Sequence, residues 1–267
     1  MERLDFSKYE GTGNDFVLVE APSDRVVSPE RARALCDRHF GIGADGVILV
    51  VPAGSAGARA RMVVLNADGS RPEMCGNGLR CVALLLAERE GREQTEFVVE
   101  TDAGERLTRV ERSGAAGQVT IGMGRGRLVA KERFPVRGKD CEFLRVDMGN
   151  PHAVAFVEGV DEAELDRVGP AISAAIPGGT NVEVVTFQGP RSIDLLVWER
   201  GVGRTLACGT GAAAVAVAAA MTGRSPYGEP LEVRLPGGAL VLTVAEGSLE
   251  VTMRGPARHV FSGQVRP

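Results

Sequence analysis

The strongest constraint on the fold is that the chain repeats itself. Twice a cysteine stands before a Gly-polar-Gly turn and an apolar helical run. Cys75 precedes Gly76, Asn77 and Gly78 and leads into Leu79, Val82, Leu85 and Leu86, while Cys208 precedes Gly209, Thr210 and Gly211 and leads into the run 212–220. The two cysteines lie 133 positions apart, as do Asn66 and Glu199. Gly13 and Asn14 answer Gly149 and Asn150 at an offset of 136, and Asp45 in GIGADG answers Asn181 in GGTNVE at the same offset. Four blocks in one order predict duplication of a half of roughly 130 residues, an ordinary domain length.

A chain of 267 residues with 44% hydrophobic content can supply two cores. Short strands are read at 4–9, 16–20, 47–51, 60–65, 97–100, 105–112 and 118–123, with helices after Ser28 and Cys75. The second half repeats the pattern with strands at 143–147, 153–157, 182–187 and 192–197, a short helix begun at Asp161, the Cys208 helix, and three strands between 231 and 253. GMGRGR at 122–127 reads as the hinge. The run 212–220 is apolar nearly all round, so it must be enclosed. The expected fold class is therefore α+β (mixed α/β), with two homologous domains related by a pseudo-two-fold, each a curved sheet wrapped around a central helix. The expected domains are 1–123 plus 256–267, carrying Cys75, and 124–255, carrying Cys208. The tail 258–265 is expected to cross back as a strand of the first domain.

A thiol at a helix N-terminus meets unsatisfied N–H groups and the positive end of the helix dipole, which favour a thiolate and can also hold a carboxylate. Two such thiols on opposite walls of a cleft suit inversion at carbon, one taking a proton as the other gives one. Glycine-turn amides at Gly76, Asn77, Gly209 and Thr210 would hold the carboxylate beside the reacting carbon. No cofactor is indicated: pyridoxal phosphate needs a Schiff-base lysine, and Lys8, Lys131 and Lys139 lie outside both motifs. Five cysteines without a CxxC pair suit neither a disulfide framework nor a structural zinc site, and Cys36, Cys81 and Cys141 read as packed side chains. GIGADG satisfies GxGxxG but runs into a strand, VILVV, whereas a dinucleotide fingerprint opens a helix.

The blocks NADGSRPEMCGNGLRC, ERGVGRTLACGTGA, GTGNDF, GIGADG, GNPHAV and GTNVE together resemble the diaminopimelate epimerase family, over Gly11 to the tail. That resemblance implies cofactor-independent interconversion of LL- and meso-2,6-diaminopimelate, in lysine and peptidoglycan precursor biosynthesis. It implies that Cys75 and Cys208 are the acid/base pair, assisted by His152 and Glu199. It also implies substrate contacts from Asn14, Asn66, Asn150, Asn181, Glu199 and Arg200, with Gly76, Asn77, Gly209 and Thr210 gripping the reacting carboxylate. One departure is visible: some members carry Gln where this chain has Gly46, so a neighbouring residue or water is expected to take over that contact.

Taken singly, Asn14 and Asn150 would read as turn residues, His152 as a packed histidine and Glu199 with Arg200 as a solvated ion pair. The competing functions are a proline or hydroxyproline-type racemase, whose first cysteine typically lies in MCGH where this chain has MCGN, and a non-catalytic carboxylate-binding protein. Phenazine-biosynthesis-type isomerases share the expected architecture without the cysteine pair. Scattered arginines, 4% aromatic content and a net charge of −4 do not suit nucleic acid. The expected partner is the small-molecule substrate alone. No signal peptide or membrane-spanning run is read, so the expected location is cytoplasmic, and a homodimer stays open.

Overall fold

The computed structural model describes residues 3–266. The chain forms two compact units, Met1–Ile121 with Gly255–Pro267, and Gly122–Arg254. The first contains β1 (Leu4–Gly11), β2 (Asn14–Glu20), α1 (Pro29–Cys36), β3 (Gly46–Val51), β4 (Ala58–Asn66), α2 (Gly76–Arg89), β5 (Gln94–Thr101), β6 (Gly104–Ser113) and most of β7 (Ala116–Arg125). The second contains β8 (Arg127–Val136), β9 (Lys139–Asp147), β10 (Pro151–Phe156), α3 (Glu162–Ala175), β11 (Asn181–Gly189), β12 (Ser192–Glu199), the two-residue β13 (Gly203–Arg204), α4 (Gly209–Met221), β14 (Leu231–Leu235) and β15 (Gly238–Val244). The last strand, β16 (Glu250–Val265), begins in the second unit and ends in the first.

In the first unit the strands follow the order β1 to β7, and β16 pairs with both β7 and β1, so the sheet closes on itself. Helix α2 packs against β1, β2, β4, β5 and β6 and is buried from Gly76 to Ala87. Leu79, Val82 and Leu84 are fully enclosed, each contributing roughly 1.5–3 kcal/mol of apolar burial. In the second unit the order runs β15-β14-β12-β11-β10-β9-β8, with the start of β16 on β15. Helix α4 packs against β9, β10, β11 and β15. Its alanine and valine side chains let the surrounding strands approach on every side, which explains a helix with no polar face.

The duplication is visible strand by strand. The parallel pair β2–β3 aligns Phe16 with Gly46, and the parallel pair β10–β11 aligns His152 with Asn181. Each pair is bridged by a helix, α1 or α3, and β4–β5 and β12–β14 are parallel pairs bridged by α2 and α4. Register places Gly46, not Asp45, as the counterpart of Asn181, one residue from the alignment that the sequence motifs suggest.

Three local expectations gain detail in the structure. The boundary between the units falls between Ile121 and Gly122, at the start of the 122–127 segment, but the segment itself is mostly strand: β7 runs through Gly122–Arg125, β8 starts at Arg127, and Gly126 donates its N–H to Leu249 O at 3.0 Å. The tail does cross back to the first unit, lying antiparallel to β1 from Leu4 opposite Val265 to Glu10 opposite Arg258, but as the end of one 16-residue strand and not as a separate one. Helix α3 is not short: capped by the Asp161 carboxylate, it runs 14 residues and carries Pro170 inside.

Candidate active site

Both cysteines are helix N-caps, in extended backbone conformation with φ −137° at Cys75 and −129° at Cys208. The Gly78 N–H donates to Cys75 Sγ at 3.4 Å, and the Gly211 N–H donates to Cys208 Sγ at the same distance. Leu79 and Ala212 donate to the carbonyls of Cys75 and Cys208 and so start each helical ladder. The N–H groups of Gly76 and Asn77, and of Gly209 and Thr210, precede that ladder and stand at the positive end of the helix dipole.

Around Cys75, Asn77 Nδ2 donates to Asn14 Oδ1 at 3.2 Å, and Asn14 Nδ2 donates to Asp45 Oδ2 at 2.6 Å. Asn77 is 3% exposed, and its Oδ1 is buried with no hydrogen-bond partner, an acceptor left for a ligand donor. Asn66 closes β4 opposite Gly46, and its Nδ2 donates to Ser70 Oγ at 2.9 Å. No side chain fits at Gly46, where a Cβ would stand 2.9 Å from Leu65 O. Asp45 is the adjacent polar group and holds Asn14 instead. Asp45 and Asp15 share Arg38, and Asp15 also pairs with the buried Lys8.

Arg80, the fifth residue of α2, is fully buried. It donates from Nη2 to Thr12 Oγ1 at 2.5 Å and from Nε to Pro256 O at 3.1 Å. It thereby ties the GTG turn, in which Thr12 has φ 59°, to the cysteine helix. Burial pushes its pKa down to about 10, against the opposing attraction of Cys81, Cys75 and Glu10.

Around Cys208 the polar groups form a chain. Glu183 Oε1 lies 2.6 Å from His152 Nδ1, and His152 Nε2 lies 2.9 Å from Asn150 Oδ1. Asn150 Nδ2 then donates to Thr210 Oγ1 at 3.3 Å, and Thr210 Oγ1 is 3.5 Å from Cys208 Sγ. On the other side, Thr205 Oγ1 donates to Glu199 Oε1 at 2.6 Å, and Glu199 hydrogen-bonds the Cys208 thiol. Burial, then the charges of Glu199 and Glu183, push the Cys208 thiol well above its ordinary pKa, against the Thr210 and Gly211 hydrogen bonds. The partial thiolate expected from the helix terminus is therefore reversed at Cys208, which is 6% exposed. Burial likewise raises Glu199 and Glu183.

Asn181 and Arg200 meet through the backbone. The Arg200 N–H donates to Asn181 Oδ1 at 2.9 Å, and Asn181 Nδ2 donates to Pro151 O at 3.1 Å. The exposed Arg200 side chain donates to Gly178 O at 2.9 Å. Its stem lies where a Cβ at Gly179 would come within 2.8 Å, and Gly179 has φ +74°.

The structure thus groups Cys75, Gly76, Asn77 and Asn14 in the first unit. It groups Cys208, Gly209, Thr210, Asn150, His152 and Glu199 in the second, with Asn181 and Arg200 bracing the β10–β11 end. Sequence reasoning misses Asp45, Arg80, Thr205 and Glu183. Only Glu183 leaves a sequence signal, an acid inside the apolar strand NVEVV. Cys36 and Cys81 are buried, with Cys36 pushed by burial up to about 11, and Cys141 hydrogen-bonds Lys139 O. Among the described residues, no cluster of three or more His, Cys, Asp or Glu side chains forms a metal-binding group.

Solved structures define the class. A hydroxyproline epimerase from Agrobacterium vitis superposes with a TM-score of 0.76, at 18% identity, covering 98% of this chain and 92% of its own. A phenazine biosynthesis protein from Bacillus anthracis superposes at 0.72, with 14% identity and full coverage of both chains. The fold is the duplicated α/β fold shared by these proteins. The model of the diaminopimelate epimerase family matches residues 6–129 and again 144–260. Curated diaminopimelate epimerases from Synechocystis sp. (strain ATCC 27184 / PCC 6803 / Kazusa) and Synechococcus sp. (strain JA-2-3B'a(2-13)) are 42% and 44% identical, each over 98% of both chains. The chain belongs to the diaminopimelate epimerase family.

Proposed function

We infer that the protein is an isomerase that interconverts LL- and meso-2,6-diaminopimelate, and we propose that it does so by a two-base route through Cys75 and Cys208. The observation that carries the reading is the duplicated cysteine cap, set in a chain over 40% identical, along nearly its whole length, to curated diaminopimelate epimerases. In one direction a Cys75 thiolate takes the α-proton and becomes a thiol, and the electron pair left on carbon is stabilised through the adjacent carboxylate. The Cys208 thiol gives its proton to the opposite face and is left as thiolate. The raised pKa of Cys208 supports this direction as the one that starts from the protonated resting form. The reverse reaction exchanges the roles.

The N–H groups of Gly76, Asn77, Gly209 and Thr210 would receive the carboxylate, whose charge grows as the proton leaves. Asn14, Asn66, Asn150, Asn181, Glu199 and Arg200 would read the substrate's ammonium and remote amino-acid end, amides offering both donor and acceptor. His152 and Glu199 act beside Cys208. No step in this route calls for a cofactor. Among the described residues no helix is long and apolar enough to cross a membrane; we place the enzyme in the cytoplasm with its substrate.

Purified protein incubated with LL-diaminopimelate should produce the meso form, and proline should remain unchanged. Racemisation of proline, or binding of diaminopimelate without turnover, would overturn the reading.

A further inference from the structure

Glu183 has no part in the route above, yet it is the most completely buried carboxyl group near Cys208. It is 0% exposed, its Oε1 lies 2.6 Å from His152 Nδ1, and its Oε2 is buried with no hydrogen-bond partner. Placing a carboxyl in such a position is costly, so something must compensate.

The duplication supplies an internal control. Strand register makes Phe16 the counterpart of His152 and Ile48 the counterpart of Glu183. The glycines three residues after each cysteine give the same correspondence independently. A Cβ at Gly78 would meet Ile48 Cδ1 at 2.5 Å, and a Cβ at Gly211 would meet Glu183 Oε1 at 2.8 Å. The same two sites are thus filled by an apolar pair beneath Cys75 and by a hydrogen-bonded polar pair beneath Cys208. The fold itself is satisfied by Phe and Ile, so the His–Glu pair answers to something other than packing.

We propose that Glu183 is a positioning residue for epimerisation: it anchors the His152 ring so that Nε2–H points at Asn150 Oδ1 and holds the Asn150 amide nitrogen towards Thr210 and Cys208. Asn150 Oδ1 must accept because its Nδ2 is donating to Thr210 Oγ1, so Nε2 carries the proton and Nδ1 faces the carboxyl. Burial raises the Glu183 pKa, which lets the carboxyl share its proton with Nδ1. Removing the anchor leaves the imidazole a ring with one tether, and the Asn150 amide loses its fixed orientation.

The inference rests on the epimerase reading, and its test separates the two. In Glu183→Ile, which copies the first unit, kcat for diaminopimelate should fall by roughly 10- to 100-fold and KM should rise, because the misplaced Asn150 amide also meets the substrate. The His152 Nε2–H proton resonance, protected from solvent exchange in the wild type, should broaden away. Glu183→Gln, which can donate to Nδ1, should restore both. The double variant His152→Phe/Glu183→Ile should fold, and Glu183→Val carries the same test should the isoleucine variant not fold. Wild-type kcat in the apolar variant, or a fall in kcat with the Nε2–H signal still protected, would overturn the role of Glu183. An inactive wild type would instead overturn the epimerase reading, leaving the imidazole signal to report on Glu183.

Discussion

The N–H of Gly211 donates to Cys208 Sγ at 3.4 Å, and a Cβ on Gly211 would stand 3.3 Å from that sulfur and 2.8 Å from Glu183 Oε1. The glycine therefore lets the cap close over a pinned carboxyl. Gly211→Ala should displace one of the two, costing about 1–3 kcal/mol by overpacking and lowering epimerase turnover. In Gly78→Ala the close neighbour is the terminal methyl of Ile48 at 2.5 Å, which can turn aside, while Cys75 Sγ stays at an ordinary 3.5 Å, so this variant should retain more activity. Thermal melts and kcat for the two variants check this; a Gly78 variant worse than the Gly211 variant would contradict it.

Cys75→Ala and Cys208→Ala should each abolish epimerisation while the protein stays folded. Each removes a sulfur that accepts one cap hydrogen bond, so the stability loss should be about 1 kcal/mol. Circular dichroism melts alongside a diaminopimelate assay measure both. Appreciable epimerase turnover in either variant removes that cysteine from the mechanism.

Glu199 contributes, after burial, to the raised pKa of the Cys208 thiol. Removing its negative charge makes the thiolate easier to form, so in Glu199→Gln the pH midpoint for alkylation of Cys208 by iodoacetamide should move down. Peptide-resolved mass spectrometry across a pH series reads the midpoint. A midpoint that stays put or rises would contradict the proximity of the two groups.

Asp15 gives a pH-dependent contribution to stability. Burial alone would raise its pKa, but hydrogen bonds from Arg38 and Lys8 outweigh this and hold it at about 2, below the ordinary 3.8. A depressed carboxyl stabilises the fold fully above its unfolded pKa, and that stabilisation is lost as pH falls through the folded value. Asp15→Asn should therefore cost on the order of 2 kcal/mol at neutral pH and show a smaller further loss between pH 4 and 2. Urea melts at several pH values decide it; equal acid sensitivity in both proteins would contradict it.

What the sequence discloses here follows from how local each feature is. The cysteine caps are legible because cap, turn and helix are contiguous, and Ser28 followed by Pro29 marks α1 for the same reason. Strand β8 is missed because RLVAKERFPV alternates charged and apolar residues with little burial, a pattern that surface segments share. The continuity of β16 is missed because its ends pair in different units, so the strand ending at 253 and the tail 258–265 read as separate, whereas the structure carries one strand through Gly255 and Pro256. Arg80 leaves no mark in the sequence, and Glu183 shows only as an acid inside the apolar strand NVEVV, for a different reason. Their importance lies in burial against strands distant in the chain, and register, not motif, decides which side of a strand is inward.

In a two-base reaction a proton leaves one face of the α-carbon and a different proton arrives at the other. Turnover of LL-diaminopimelate in deuterated water measures this most directly. With Cys75 and Cys208 as the two bases, the meso product carries deuterium at the inverted α-carbon. Product that keeps its original α-hydrogen throughout turnover would contradict a two-base reaction.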